Sequence, residues 1–479
     1  GLSASAMYSY RRYYSVRKQV GKKYPLYEHE TTGTNGHIIR EDAAITRTKY
    51  RSETLGDGVR KDFKEDSRYT LNLQLNYDRS FGKHDLGVLF LYEQYEQSGQ
   101  DIYAQRKELL TNAIEELFVG NSDAANKDAG GDATEFGRLG YVGRINYVYD
   151  SKYLFEANFR YDASVRFPKG SRWGFFPSFS AGWRISEEKF MKESETLGLI
   201  NNLKLRASYG ILGNDQVDPY QYLDLFSTTT GGVFGAATTG IKPGTYPNKN
   251  ITWEKTATTN LGVDIGLWNG LLSLEFDYFH KRTYDILKKR ERTIPSTFGA
   301  SLPNENYAEL INQGVDLLVR HDNRIGEFKY YVTGNFSFAR NHYSKIDEAE
   351  NAYDYQLKTG RPMYFITGYQ ANGIARTEAD LIGLPTWNTA NKWQLGDIML
   401  LDVNGDGDVT SVDQVVLSEY SKHPEIVYGF SLGGEWRGFD LNIFFQGVAH
   451  RSIMAGYRDW KWTEQSVLDI WSDAYSNSS

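Results

Sequence analysis

The stretch Leu139–Ile185, LGYVGRINYVYDSKYLFEANFRYDASVRFPKGSRWGFFPSFSAGWRI, decides how this chain folds. Leu139, Tyr141, Ile145, Tyr147 and Tyr149 alternate with Gly140, Val142, Arg144, Asn146 and Val148, the period of a strand with two unlike faces. Asp150, Ser151 and Lys152 turn the chain. Tyr153, Phe155, Ala157, Phe159 and Tyr161 then resume the apolar face against Glu156, Asn158, Arg160 and Asp162. Beyond a loop with Pro168 and Gly170, Phe179, Ala181, Trp183 and Ile185 oppose Ser178, Ser180, Gly182 and Arg184. In a soluble sandwich such an apolar face packs inward, whereas in an outer-membrane barrel it meets lipid and the polar face lines the lumen. Alternation serves both; strand length, aromatic placement and loop asymmetry separate them.

The same pattern recurs outward in both directions. Toward the N-terminus, Tyr69, Leu71, Leu73, Leu75 and Tyr77 oppose Arg68, Thr70, Asn72, Gln74, Asn76 and Asp78, and tyrosine at both ends of a leucine row matches an interfacial aromatic girdle. Gly82 and Lys83 turn this strand into Leu86, Val88, Phe90 and Tyr92, and Leu2 to Tyr10 gives a first strand already under way at Gly1. Toward the C-terminus come strands at 203–209, 259–267, 272–278, 315–319, 328–338, 428–436 and 439–445, with Asn269–Gly270 as a two-residue hairpin signal. A short helix is expected within Asp101–Phe118.

Short turns near Gly82, Asp150, Asn269, Asn323 and Gly438 alternate with long connections at 13–65, 97–135, 211–252, 285–306 and 340–362. That is the asymmetry of short periplasmic turns and long extracellular loops. The expectation is an all-β, transmembrane antiparallel β-barrel, partial, with roughly 14 strands against about 22 for a plugged transporter barrel. Its two edges would then need partners, because an open edge is not viable in lipid.

Composition fits this architecture. The 479 residues show no linker that would divide them, and aromatics reach 15% although mean hydropathy is −0.55. No run of 18 apolar residues exists, which excludes a spanning helix and leaves a barrel open. A formal net charge of −7 argues against nucleic acid as a partner. Cysteine is absent, which removes disulfides, thiolate metal sites and cysteine nucleophiles. Gly1 opens directly into a strand pattern, without a charged n-region and an apolar h-region, so the expectation is a mature or truncated chain.

Several segments closely resemble SusC/RagA-type TonB-dependent transporters of Bacteroidota-like (Gram-negative) outer membranes. They are Arg160–Phe190, Leu203–Asn214 (LKLRASYGILGN), Ile251–Gly270 (ITWEKTATTNLGVDIGLWNG), LLDVNGDGDV around Asp402, and Ile426–Gly447, in the family's usual order. The resemblance covers most of Tyr141–Gly447. It implies an active importer of oligosaccharides or, in some members, peptides, driven by the TonB–ExbB–ExbD complex and lidded by a SusD-like surface lipoprotein. It also implies that residues 1–479 are a barrel segment lacking the plug with its TonB box, the first strands and the last strands, and unable to transport by itself. The alternative is a secreted all-β, calcium-binding glycan-binding protein or glycoside hydrolase.

The sharpest local motif is Asp402, Asn404, Asp406, Gly407, Asp408, Thr410 and Asp413. Oxygen ligands at positions 1, 3, 5, 9 and 12, glycine at 6 and a backbone carbonyl at 7 match a Ca²⁺ loop, with Asp413 in place of the usual bidentate glutamate. The competing reading is an Asp/Asn/Gly-rich turn; in either case the role is structural. The loop falls on the extracellular side whether the weak segments Met363–Ala375 and Ile398–Val403 both cross the membrane or neither does.

No enzyme constellation emerges. The eight histidines lack metal spacing, and the acid pairs Glu115/Glu116, Glu187/Glu188 and Glu275/Asp277 are products of ordinary periodicity and not a glycosidase dyad. No serine elbow or phosphate loop is present. Arg144, Arg160, Arg184, Lys204 and Arg206 are expected to pair with Glu156, Asp162 and carboxylates of the plug, with guiding of the solute as the alternative. Trp387, Trp393, Trp460 and Trp462 fall in loops, available for stacking on sugars or for packing there.

Overall fold

A computed structural model of the chain describes residues 1–453, apart from 33–37, 40, 53–56, 112, 195–196, 235, 292–300, 350–351 and 388–392. Thirteen strands form one antiparallel sheet in which every strand pairs with its neighbours in sequence. They are β1 (Leu2–Gly21), β2 (Gly58–Phe81), β3 (His84–Lys107), β4 (Lys127–Tyr149), β5 (Tyr153–Ser164), β6 (Trp173–Arg184) and β7 (Ile200–Asn214). The series continues with β8 (Glu254–Leu267), β9 (Leu272–Lys289), β10 (Asn304–Ile325), β11 (Phe328–Lys345), β12 (Ile426–Trp436) and β13 (Phe439–Ala449). β1 and β13 are the two edges, so the sheet is an open up-and-down meander. No helix among the described residues is long and apolar enough to cross a membrane.

Register carries the apolar row across the sheet, because residues directly opposite in an antiparallel pair share a face. Leu205 pairs with Val263, Val263 with Phe276, Phe276 with Leu317, Leu317 with Phe336 and Phe336 with Tyr428. On the N-terminal side Leu73 pairs with Tyr92, Tyr92 with Tyr141, Tyr141 with Tyr161 and Tyr161 with Phe175. Much of this row is exposed, Leu73, Phe159, Phe179, Leu205, Leu261 and Ile443 included. A sheet with an exposed apolar face has the surface that lipid covers.

The strands are longer than their apolar periods. β2 and β3 each run 24 residues, where about 9–11 cross a bilayer. The excess lies at one end, in Gly58–Arg68, Glu93–Lys107 and Lys127–Phe136, where polar residues predominate on both faces. Above the membrane both faces meet water, so pairing continues while alternation stops. For that reason the loops expected at 13–65 and 97–135 shrink to 22–57 and 108–126, and Asp101–Lys107 is strand where a helix is expected; two three-residue 3₁₀ turns, Leu117–Val119 and Ala124–Asn126, follow.

Other departures are local. Thirteen strands replace the expected fourteen, and Met363–Ala375 and Ile398–Val403 stay outside the main sheet. The connection between β11 and β12 is instead a folded unit. Within it Ile366–Gly368 pairs with Val415–Ser418, Ala371–Ile374 with Ile398–Leu400, and Thr386–Trp387 with Asp408–Val409 in parallel.

Leu267 pairs with Leu272, so the Asn269–Gly270 hairpin is a four-residue connection in which Trp268, Asn269 and Gly270 all have positive φ. Arg437 (φ 49°) and Gly438 (φ 88°) do make a two-residue turn, with both φ positive as a type I′ turn requires. The asymmetry of the connections has one exception at each end. Residues 185–199, between β6 and β7, make a long connection at the short-turn end, and 165–172 make a short one opposite.

The buried core among the described residues sits at the long-loop end. Phe167, Phe176, Ile251 and Trp253 form one cluster, with Ile211, Val217, Tyr222 and Leu287 packed around it. Trp253 also donates its Nε1 hydrogen to the carbonyl of Arg172 at 3.1 Å, which ties the β5–β6 loop to the segment preceding β8.

Candidate functional site

The polar face is a wall built by register. Asn146 stands opposite Glu156, Glu156 opposite Ser180, Ser180 opposite Ser208 and Ser208 opposite Asn260. Side chains here are short, and a hollow of about 510 Å³ opens over them, bordered by Lys204 and Arg206.

Two arginine forks punctuate this wall. Arg206 donates to Asp264 (Nε–Oδ1 3.0 Å, Nη2–Oδ1 2.7 Å) and to Asp277 (Nη1–Oδ1 2.9 Å, Nη2–Oδ2 2.9 Å). Gly262 lies between Arg206 and Asp277 in the register. A Cβ there would come within 2.5 Å of Asp277 Oδ1 and 2.7 Å of Arg206 Cζ. Arg160 likewise donates to Asp162 (3.0 and 3.1 Å) and Glu93 (3.2 Å). Gly140 lies between those two acids and clears the same kind of space. Bidentate guanidinium–carboxylate geometry fixes direction as well as charge.

Of the expected partners, Asp162 does take Arg160. Glu156 instead accepts from Asn158 Nδ2 at 2.6 Å, and Arg184 donates to the carbonyl of Ser151 at 3.4 Å. No ion pair of Arg144 or Lys204 occurs among the described residues. Asp264 and Asp277 escape sequence reading because their partner lies on another strand; the usable signal is a glycine in a polar row, where a long side chain must pass. Asp277 also stands directly opposite Asp316, which takes a hydrogen bond from Ser337 Oγ.

At the short-turn end, Glu188 collects three donors: Tyr153 Oη (2.6 Å), Lys152 Nζ (3.0 Å) and Trp183 Nε1 (3.1 Å). The tyrosine hydrogen bond first, then the lysine and the indole, lower its pKa from 4.5 to about 2. Glu188 thereby locks the connection after β6 onto the β4–β5 turn. The other paired acids are likewise engaged, Glu115 with Lys22, and Glu116 with Lys18 and Lys61.

The Asp402–Asp413 loop lies in the unit between β11 and β12, at the end away from the short turns. Gly405 (φ 75°) and Gly407 (φ 91°) take the left-handed conformation that the tight loop demands. Asp402 accepts from the amides of Gly405 and Gly407, each at 2.7 Å. Asn404 Oδ1 accepts from Asp406 N, and Asp406 Oδ1 from Asp408 N.

Asp413 is fully buried. Its carboxylate accepts from the amides of Val403 (2.9 Å), Asn404 (3.3 Å) and Thr410 (2.8 Å). Burial pushes its pKa up, and the amides of Thr410, Val403 and Asn404 outweigh that and hold it below the usual range. The loop is therefore wound tightly on its own backbone, with the carboxylates of Asp402 and Asp413 held by its amides. Among the described residues no group of three His, Cys, Asp or Glu stands together as a metal site.

Trp387 stacks on Trp393 at 6.5 Å and meets Tyr369 edge-on at 5.1 Å, and Trp393 Nε1 donates to Pro385 O. These two tryptophans pack within the loop unit. Trp460 and Trp462 lie outside the described residues.

Comparison with known proteins agrees with the geometry. The family model described as TonB dependent receptor-like, beta-barrel, matches residues 3–452. TonB-dependent receptor P3 of Formosa agariphila is 27% identical over 436 residues, covering 86% of this chain and 42% of its own. TonB-dependent receptor SusC of Bacteroides thetaiotaomicron is 25% identical over 329 residues, covering 65% and 31%. The chain thus spans less than half the length of these relatives. Among solved structures the RagAB peptide transporter superposes with a TM-score of 0.68 at 21% identity, over 94% of this chain and 45% of that one, a likeness of fold.

Proposed function

Because the chain belongs to the TonB-dependent receptor-like β-barrel family of outer-membrane proteins, a family of receptors and transporters and not of enzymes, we propose that it is the wall of an active importer. The observation that carries this reading is the thirteen-stranded meander with one largely apolar face and one polar face crossed by arginine forks. Lipid covers the first face, and the second lines the route of the solute. β1 and β13 need partner strands in a bilayer, and further strands of a longer barrel supply them. A plug that TonB–ExbB–ExbD acts on completes the machine.

The solute is an oligosaccharide or a peptide, with a SusD-like lipoprotein closing the extracellular mouth. Likeness to SusC and to the RagAB transporter supports that reading. We also infer that the 402–413 loop takes Ca²⁺ through Asp402, Asn404, Asp406, the Asp408 carbonyl and Thr410, with Asp413 as the twelfth-position acid. Its support is the twelve-residue spacing and the left-handed glycines. Such an ion stiffens a surface loop.

Fractionation tests the whole reading. The full-length product should sediment with outer membranes, need detergent for release and show heat-modifiable mobility on gels. A product that stays soluble would return the secreted calcium-binding alternative.

A further inference from the structure

At the long-loop end of the polar face, a cleft of about 1060 Å³ opens between β4 and the loops that follow β5 and β7. It matches the upper end of the roughly 300–1,000 Å³ usual for ligand pockets. Arg138 of β4, Arg166 and Arg172 of the first loop, and Asp215, Tyr220 and Tyr222 of the second line it. Arg138 and Arg166 both lie over the ring of Phe136, at 5.6 and 5.1 Å from its centroid.

Charge is unevenly matched here. Arg138 is paired with Asp215. Arg166 donates to the carbonyl of Val217, and Arg172 to that of Phe167 at 3.4 Å; neither has a carboxylate partner among the described residues. Asp132, Glu135 and Glu96 also border the cleft, but Glu96 and Glu135 belong to rows of the opposite face, as their pairing with Tyr69 and Ser98 shows.

Two further features are unexplained by the fold. Asp215 is 3% exposed, yet its Oδ2 has no hydrogen-bond partner, and neither has Arg138 Nε beside it. A buried orphan acceptor is costly and marks a missing donor. Tyr220 has φ 62° and is 45% exposed. A left-handed tyrosine is strained, and strain of this kind collects at ligand clamps.

We propose that this cleft recognises a sugar ring bearing an anionic substituent, with the ring face on Tyr220, the anion on Arg166 and Arg172, and a ring hydroxyl donating to Asp215. The inference rests on the solute-import reading above. An aromatic face takes the apolar C–H face of a sugar, and two guanidinium groups take a carboxylate or a sulfate ester in planar, bidentate fashion.

The test uses the full-length transporter in detergent on an array of matched neutral, uronate-bearing and sulfated oligosaccharides. Acidic probes should be retained in preference to their neutral counterparts, and the uronate and sulfate arms identify the anion. Arg166→Gln with Arg172→Gln should lower acidic retention at least tenfold, and Arg172→Lys should restore part of it. Tyr220→Gly relieves the backbone and removes the ring, so binding should fall while heat-modifiable mobility is kept. Equal retention of neutral and acidic probes, or acidic retention unchanged in these variants, overturns the inference alone. Retention of no oligosaccharide overturns the oligosaccharide reading together with it.

Discussion

Arg206 reaches across Gly262 to fork onto Asp277, with both nitrogen–oxygen distances 2.9 Å. The fork exists because the residue between them has no side chain. Gly262→Ala should therefore push the guanidinium off Asp277, at a cost of about 1–3 kcal/mol for overpacking. Urea unfolding of the barrel in lipid vesicles would measure it. In a double-mutant cycle with Arg206→Gln the two effects should overlap; full additivity would show that Gly262 acts elsewhere.

The two faces make separate predictions. Leu73, Phe159, Ala181, Val263 and Ile443 should face lipid, and Asn72, Asn158, Arg184, Asp264 and Asn442 the lumen. Arginine at Phe159 or Val263 should cost about 2–4 kcal/mol near the midplane, and lumenal replacements less. Because the chain has no cysteine, single introduced thiols report cleanly. Labelling from the lipid phase that reached the second set and spared the first would reverse the assignment.

Glu188 gives a pH dependence of known sign. Its pKa is depressed from 4.5 to about 2, so its contribution is complete above about 4.5 and is lost as pH falls toward 2. Melting of the full-length protein should show an acid-side loss across that window. Glu188→Gln should lower stability at neutral pH and flatten the loss; an unchanged acid limb in the variant would rule out this carboxylate as its source.

Asp413 and Asp406 should differ in kind. Asp413 holds the loop through three backbone amides, so Asp413→Ala should expose the Trp393–His423 region to protease with or without calcium, at a local cost of about 1–3 kcal/mol. Asp406→Ala removes a proposed ligand together with the bonds that its carboxylate accepts from Asp408 N and Asn404 Nδ2, so its effect should be larger in calcium-containing medium than with chelator. Protease cutting on intact cells, with and without chelator, separates them, and a wild-type loop indifferent to chelator would count against bound calcium.

Much of the architecture was legible in the chain itself. Alternation through Leu139–Ile185, tyrosines bracketing Leu71–Leu75, and turn residues at Gly82, Asp150 and Gly438 set strand class, face and chain direction, because a strand's side chains have a period of two and a tight turn admits few residues. The spacing Asp402–Asp413 likewise foretold a tight loop, since left-handed glycines are needed for the chain to wrap there. Tertiary structure alone decided the rest. The polar extensions of β2, β3 and β4 carry no alternation, because water bathes both faces and only pairing with a neighbour holds them extended. The Arg206 fork, the Glu188 lock and the Phe176–Trp253 core join residues remote in sequence, so they follow from register and loop closure, and Gly262 in its polar row is the one local trace they leave.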